Sequence, residues 1–438
     1  MIRIAALALV LAPQEPPAAD PLGFVSRRLD NGVRVHAIEL GDATRVAVFT
    51  FLPVGLANDP LGRAQFAHLA EHMLIRATDS ERLQVGGMSF NGETTGSVQR
   101  LESLGPLDDW KDLVGRHADW LSAREFDADV LEREKLRIEG EERNTVPQGL
   151  NHKWAIAAWS QVVAGSQNVR VHGDVATATV PQIERYVRDR VRLADARIFV
   201  AGPISPTDVI DAIERAFGDA PGTTSKPTSG PSTAESRPHA APFTEPGHRD
   251  VTWDFDARQY LEWFPLPADL SGIEAELLRN VVAQACFQVG DLRRLPGRGS
   301  ADVVVRDGRR FLLFTAAVPD PESEPRIREA FADAVDNAIR LAGNIDPSML
   351  AAPFRDVPDF EAHRARIHVA HIRELVEANW LLQVGYACAR TGKEPAELAA
   401  AFDAIDPKRV AKRLSDACES SLRRSASLHP PVSEGEPR

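Results

Sequence analysis

Along most of the chain, short apolar runs alternate with stretches whose apolar residues recur every three or four positions. Val33 to Ile38, Arg45 to Phe51 and Arg197 to Gly202 read as strands, and Pro181 to Val191 and Pro206 to Phe217 read as helices. Phe66, Leu69, Met73 and Leu74 make a helical stripe, with Asn58, Asp59 and Pro60 as the start signal ahead of it. A Pro-, Ser-, Thr- and Gly-rich stretch, residues 219–250, has the composition of a linker. Beyond it the style repeats, with strand-like Val251 to Phe255, helical Ile273 to Phe287, strand-like Ala301 to Arg306 and Phe311 to Val318, and a long helical stretch beyond Pro325. Ser425 to His429 is a further strand able to close the second sheet, and residues 431–438 read as a disordered tail. The pattern predicts an α+β fold in two domains, 24–218 and 251–430, in which Trp253, Trp263 and Phe264 are sheet core. No repeat is visible residue by residue.

The stripe of the helix at residue 66 carries the chain's most informative chemistry, His68-Leu69-Ala70-Glu71-His72. Histidines four apart share a helix face and can hold one metal ion, and a carboxylate between them can take a proton from an attacking water. A catalytic zinc site needs a third ligand. The acidic stretch Leu131 to Arg143, with Asp127 as its cap, favours helix, and Glu134 and Glu141, seven residues apart, fall on one face. Taken alone, that stretch reads as a solvated helix held by Glu–Arg and Glu–Lys pairs. In the second half, His363, His368, His371 and Glu374 are the nearest imitation, but their spacings of five and three place His363 and His368 off a common face, and these histidines read as surface or capping groups.

Taken together, Leu29-Asp30-Asn31-Gly32, Gly55, Ala67 to Leu74 and the helix carrying Glu134 and Glu141 resemble the insulinase and pitrilysin family of zinc peptidases, to which mitochondrial processing peptidase belongs. The resemblance implies two similar α/β-sandwich halves, each a mostly antiparallel sheet with helices on one side, facing one another across a cavity. It makes His68, His72 and Glu141 zinc ligands, Glu71 the general base, and Glu134 a residue that orients a ligand. Gly86 to Thr95 looks like the family's turn into an edge strand, whose Asn91, Gly92, Glu93 and Thr94 would bind substrate backbone. Arg197 to Gly202, followed by Pro206 to Gly218, looks like its later strand, turn and helix.

The chain departs from that pattern at two places. The gap from His72 to Glu141 is several residues short, which a tight loop near Pro106 can absorb, and Gly140 sits inside the ligand helix, so Glu139 and Glu142 stay open as ligands. Active relatives also carry an Arg and, seven residues on, a Tyr that hold the substrate carbonyl. Here Arg293 plus seven is Ser300, Arg294 plus seven is Ala301, and none of Tyr186, Tyr260 and Tyr386 fits. A heterodimer with a similar subunit that supplies the Arg/Tyr pair is therefore expected, with a homodimer as the other arrangement.

Composition narrows the partners. The formal net charge is −12, and basic residues are interspersed with acids, which argues against nucleic acid or an anionic membrane as partner. No segment has the length of a membrane span. Three widely spaced cysteines without a Cys-x-x-Cys argue against a disulfide framework or a thiolate metal site and read as buried thiols. Met1-Ile2-Arg3, the apolar run Ile4 to Ala12 and the small residues after it, within residues 1–23, resemble an export signal. The expected protein is thus a zinc endopeptidase acting on extended peptides, periplasmic or extracellular, with the cytoplasm as the other location. A non-catalytic assembly subunit and a metal hydrolase acting on something other than peptides are the competing readings.

Overall fold

The computed structural model describes residues 20–77, 87–145, 152–217, 245–294, 299–367 and 375–431. Most of the expected export signal, tail and linker, Gly86, His368, His371 and Glu374, and residues 295–298 lie outside the described residues.

The strands of the first part of the chain are β1 (Val25–Arg28), β2 (Arg34–Glu39), β3 (Arg45–Leu52), β4 (Ser89–Thr94), β5 (Gln99–Pro106), β6 (Asn168–Val169) and β7 (Arg197–Gly202). Those of the second are β8 (Gly247–Trp253), β9 (Arg258–Pro265), β10 (Ser300–Arg306), β11 (Arg309–Val318) and β12 (Arg424–His429). They form two sheets, ordered β1-β2-β7-β3-β5-β4 and β10-β11-β9-β12-β8-β6. Pairing is antiparallel except for β2 with β7, β12 with β8 and β6 with β8. Five strands of each sheet have the same topology, β2-β7-β3-β5-β4 matching β8-β12-β9-β11-β10. The two halves therefore repeat one architecture, a mostly antiparallel α+β sandwich, although their residues do not repeat. They also interlock, because β6 precedes β7 in the chain yet joins the second sheet.

The core explains the apolar runs. In β3, Val46, Val48 and Leu52 enter one cluster with α1 (Phe66–Arg76) and α2 (Trp110–Ser122), whereas Ala47, Phe49 and Phe51 enter another with residues of the second half. A strand buried on both faces needs a continuous apolar run in place of alternation. The helix Val376–Thr391 of the second half covers that other face, and a Cβ at Gly385 would meet the Phe51 ring at 2.1 Å. The exchange is reciprocal, since α3 (Ala128–Thr145) leads to α4 (His152–Val163), whose Trp159 packs on Phe311 of the second sheet with ring centroids 5.4 Å apart. Trp253, Trp263 and Phe264 are buried, as expected. Cys286 and Cys388 are buried too, but Cys418 is partly exposed. Among the described residues no helix is long and apolar enough to cross a membrane.

One expected helix start moves. Asn58 ends a short 3-10 turn and bonds Val305 across the halves, and α1 begins only at Phe66, after Gln65 in a left-handed conformation with φ of 64°. Asp59 still serves the helix from a distance, accepting from the Ala67 N–H at 3.0 Å and from the Tyr186 hydroxyl at 2.9 Å.

Candidate metal centre

One turn of α1 sets His68 above His72, with ring centroids 4.7 Å apart. Their Nε2 atoms lie 3.1 Å from one another, and Glu141 of α3 reaches both, Oε2 at 3.3 Å from His68 and Oε1 at 3.4 Å from His72. Ligand atoms held about 2.0–2.1 Å from a tetrahedral zinc stand roughly 3.3–3.4 Å apart. The two Nε2 atoms stand near that spacing, one ligand atom from each of the three residues lies within 4.8 Å of the others, and among the described residues this is the only such group of three. Of the three glutamates open on α3, Glu139 pairs with Arg143, Glu142 turns to Gln65 and His172, and Glu141 alone meets His68 and His72. His68 is fully buried and the Glu141 side chain is 45% exposed, so the cluster opens to solvent on the α3 side.

Each histidine is held from behind. His72 Nδ1 lies 2.9 Å from Glu134 Oε2, and Arg137, at 2.7 Å, and Arg76, at 3.6 Å, hold that buried carboxylate in turn. His68 Nδ1 lies 3.2 Å from the Gln65 amide oxygen. With Nδ1 donating to these oxygens, both Nε2 lone pairs face Glu141, the tautomer a metal needs.

Glu71 sits on the other side of the pair. Its Oε2 accepts from the Thr94 hydroxyl at 2.7 Å, and a Cβ on Gly92 would fall 2.3 Å from its Oε1, so β4 both anchors this carboxylate and makes room for it. Burial raises the Glu71 pKa above the usual carboxylate range, against the pull of His72, Lys153 and Thr94. Burial depresses His68 well below an ordinary imidazole, helped by the Lys153 charge. It would depress His72 as well, but hydrogen bonds to Glu134 and Glu141 overturn that and lift His72 to about 9. Glu141 is opposed by burial, yet both histidines and Lys153 hold it below its ordinary value. A carboxylate kept ionised beside two imidazoles is a site that favours cations.

Two residues here escaped the sequence reading. Lys153, in the first turn of α4, places Nζ 2.7 Å from His68 Nε2 and 3.7 Å from Glu141 Oε2. Nothing in the spacing signals it, because α4 arrives from elsewhere in the fold. Gln65 was legible in principle, one turn before His68, but only with the true helix start in hand. The residues expected to bind substrate are on the edge strand β4, where they divide by face: Gly92 and Thr94 look toward Glu71, whereas Glu93 bonds the Tyr386 hydroxyl at 2.6 Å and Arg100 at 3.0 Å, and Asn91 is exposed. The other tyrosine hydroxyls are engaged by Asp59 and Glu262, and Arg293 stacks on Phe287. No Arg/Tyr pair joins the cluster among the described residues.

No protein-family model and no curated protein matches this sequence. Solved structures do match in shape. A protease from Helicobacter pylori superposes with a TM-score of 0.61 at 14% identity, covering 93% of this chain and 99% of its own. An inactive domain of an M16 peptidase from Pseudomonas fluorescens gives 0.58 at 13% identity over 94% and 98%. Pitrilysin gives 0.57 at 15% identity over 93% of this chain, which spans only 44% of that larger protein. The chain has the M16 peptidase fold. Because that fold is shared by a protease and by an inactive domain, the chemistry rests on the side chains and not on the frame.

Proposed function

We propose that this chain is the zinc-bearing subunit of an endopeptidase that cleaves extended or unfolded peptides. The observation that carries the reading is the convergence of one donor atom each from His68, His72 and Glu141 to within 4.8 Å of one another, with a buried carboxylate, Glu71, anchored beside them. Zinc bound by those three residues would supply Lewis acidity and lower the pKa of water at neutral pH. Glu71 would take the proton of the attacking water and return it to the leaving amine, a role that suits a carboxyl whose pKa is raised. Glu134 and Gln65 hold the imidazoles in place. The peptide would lie along the open edge of β4, where main-chain hydrogen bonds give affinity with little demand on sequence.

The carbonyl oxygen of the substrate must also be held as it gains charge, and one missing donor there costs about 3–4 kcal/mol. Of the three tyrosine hydroxyls none is free for this, so a second, similar subunit carrying the Arg/Tyr pair completes the proposed enzyme. An assembly subunit without catalysis would have no need for Glu71 between two convergent imidazoles.

The deciding experiment measures zinc content and cleavage of a fluorogenic peptide for the wild type and Glu71→Gln. One zinc per chain in both, with a rate 10²–10⁴-fold lower in the variant, is the expected result. Zinc lost together with activity would make Glu71 a ligand and reverse the roles.

A further inference from the structure

Gln65 stands out among the residues around the cluster because it holds a conformation its side chain disfavours. Its φ of 64° is one of two positive values at described non-glycine residues, and the residue is fully buried at the start of α1. Its amide makes three contacts. Nε2 lies 2.7 Å from Glu142 Oε1 and 3.3 Å from the Val171 carbonyl, and Oε1 lies 3.2 Å from His68 Nδ1. The Val171 carbonyl can only accept, so the amide nitrogen must face it and Glu142. The amide oxygen is thereby committed to His68. An oxygen facing Nδ1 admits one neutral tautomer, the proton on Nδ1 and the lone pair on Nε2, which is the atom beside His72 and Glu141. Behind Gln65 the chain of contacts continues, since His172 Nδ1 lies 2.8 Å from Glu142 Oε2 and Asp254 accepts from the backbone N–H groups of His172 and Gly173.

We propose that Gln65 is a positioning residue: through the Glu142–His172 pair its amide is locked in one orientation, which fixes His68 in the tautomer that binds metal, and the left-handed backbone at Gln65 is the strain this arrangement retains. The inference rests on the reading of the cluster as a zinc site. It gives His68 what Glu134 gives His72, but with a neutral acceptor in place of a carboxylate.

The test is Gln65→Gly, since glycine adopts the left-handed backbone without strain and removes the amide. Zinc affinity, measured by competition with a chromophoric chelator, should fall 10–100-fold. The denaturation midpoint of the metal-free protein should change little, with relief of the left-handed backbone offsetting the lost contacts of the amide. Nitrogen-15 spectra of the metal-free protein should show His68 moving from one tautomer to a mixture, a readout that needs neither zinc nor activity. The double variant Gln65→Glu, Glu142→Gln removes the neighbouring carboxylate so that the new carboxyl at residue 65 stays protonated, keeps a donor toward the Val171 carbonyl and an oxygen facing His68, and should recover most of the affinity. Affinity unchanged within twofold in Gln65→Gly overturns the proposal. So does a loss of affinity and of stability together that the double variant fails to recover, because a purely structural residue would behave that way. If the wild type binds no zinc the functional reading fails, and the His68 tautomer in Gln65→Gly still decides whether Gln65 sets it.

Discussion

The two halves place polar clusters at matching points of one topology, and the clusters are chemically opposite. In the first half the helix after the second core strand, the edge strand and the crossing helix bring His68, Glu71 and His72, Thr94, and Lys153 together. In the second half the same three places are the helix Gly272–Gln288, β10 and the helix Val376–Thr391, and they bring Glu276 and Arg279, Asp302, and Arg390. There the charges alternate: Arg279 contacts Asp302 and lies 3.2 Å from Glu276, which Arg390 meets at 3.2 Å from the other side. Both carboxylates face a guanidinium. In the first half ligand atoms, one from each of two imidazoles and a carboxylate, come within 4.8 Å of one another, and a lysine stands beside them. One frame can thus hold a finished ion-pair network or a site that calls for a metal.

The largest effect that can break this contrast is the removal of each cluster's cation. Arg279→Leu leaves Glu276 and Asp302 partly stranded and should cost roughly 3–5 kcal/mol in denaturant unfolding, the range for breaking a buried pair. Lys153→Met should cost less than about 1 kcal/mol, since its partner Glu141 reaches solvent. It should also tighten zinc binding roughly tenfold, because an ammonium close to a dication repels it. Weaker zinc binding in Lys153→Met would mean that the lysine supports the ligands, and the contrast would fail.

The helices that carry the two clusters also start differently. Helix Gly272–Gln288 has an exposed capping box in which Ser271 and Glu274 cap one another, whereas α1 relies on Asp59, whose second oxygen is buried without a hydrogen-bond partner. Burial lifts the Asp59 pKa from 3.8 to about 7. The folded state then holds this proton more tightly than the unfolded chain, so the stability is fully present below about pH 4 and is lost as pH rises toward 7, at about 1.4 kcal/mol per unit. Asp59→Asn should abolish that slope and leave the protein more stable than wild type at pH 8. A pair of denaturation series between pH 4 and 8 with equal slopes would show that Asp59 is ionised throughout.

A smaller effect isolates Glu71. Gly92→Ala would put a Cβ 2.3 Å from the Glu71 Oε1 atom, so the carboxylate must move. Peptide cleavage should drop by about 10²-fold, the consequence of misplacing a reacting group by about an ångström. Zinc content and global stability should change little, because the clash falls on the Glu71 side chain and on no ligand side chain. Full activity would mean that Glu71 works from another position.

Much of this was legible in the chain, and the illegible part has a physical pattern. Strands such as β3 announce themselves because burial on both faces demands an unbroken apolar run, and His68 with His72 because helical spacing alone puts them together. The seven-residue interval put Glu134 and Glu141 on one helix face, and both contact the histidines of α1. Contacts made across the fold were not readable: Lys153 arrives on α4, β6 crosses to the second sheet, and the repeat of the two halves resides in topology without shared residues. The start of α1 was misplaced because Asn58, Asp59 and Pro60 resemble a cap, whereas Asp59 acts eight residues ahead by a tertiary route and Gln65 begins the helix uncapped.

The smallest effect concerns Gly140, next to Glu141 in the interior of α3. Its backbone is helical and a Cβ there would meet nothing within 4 Å, so neither strain nor crowding requires glycine. Gly140→Ala should therefore stabilise the protein by about 0.5–1 kcal/mol, through the lower entropy of the unfolded chain and the better helix propensity of alanine. The zinc affinity of the variant is the informative number. The course of α3 past α1 is set by buried Leu131 and Ile138 and by the Glu134–His72 contact, none of which the substitution touches, so affinity should stay within about twofold of wild type. If stability rises while zinc affinity falls, the helix must flex at Gly140 to bring Glu141 onto the metal. The first cluster would then differ from the second in its backbone as well as in its charges.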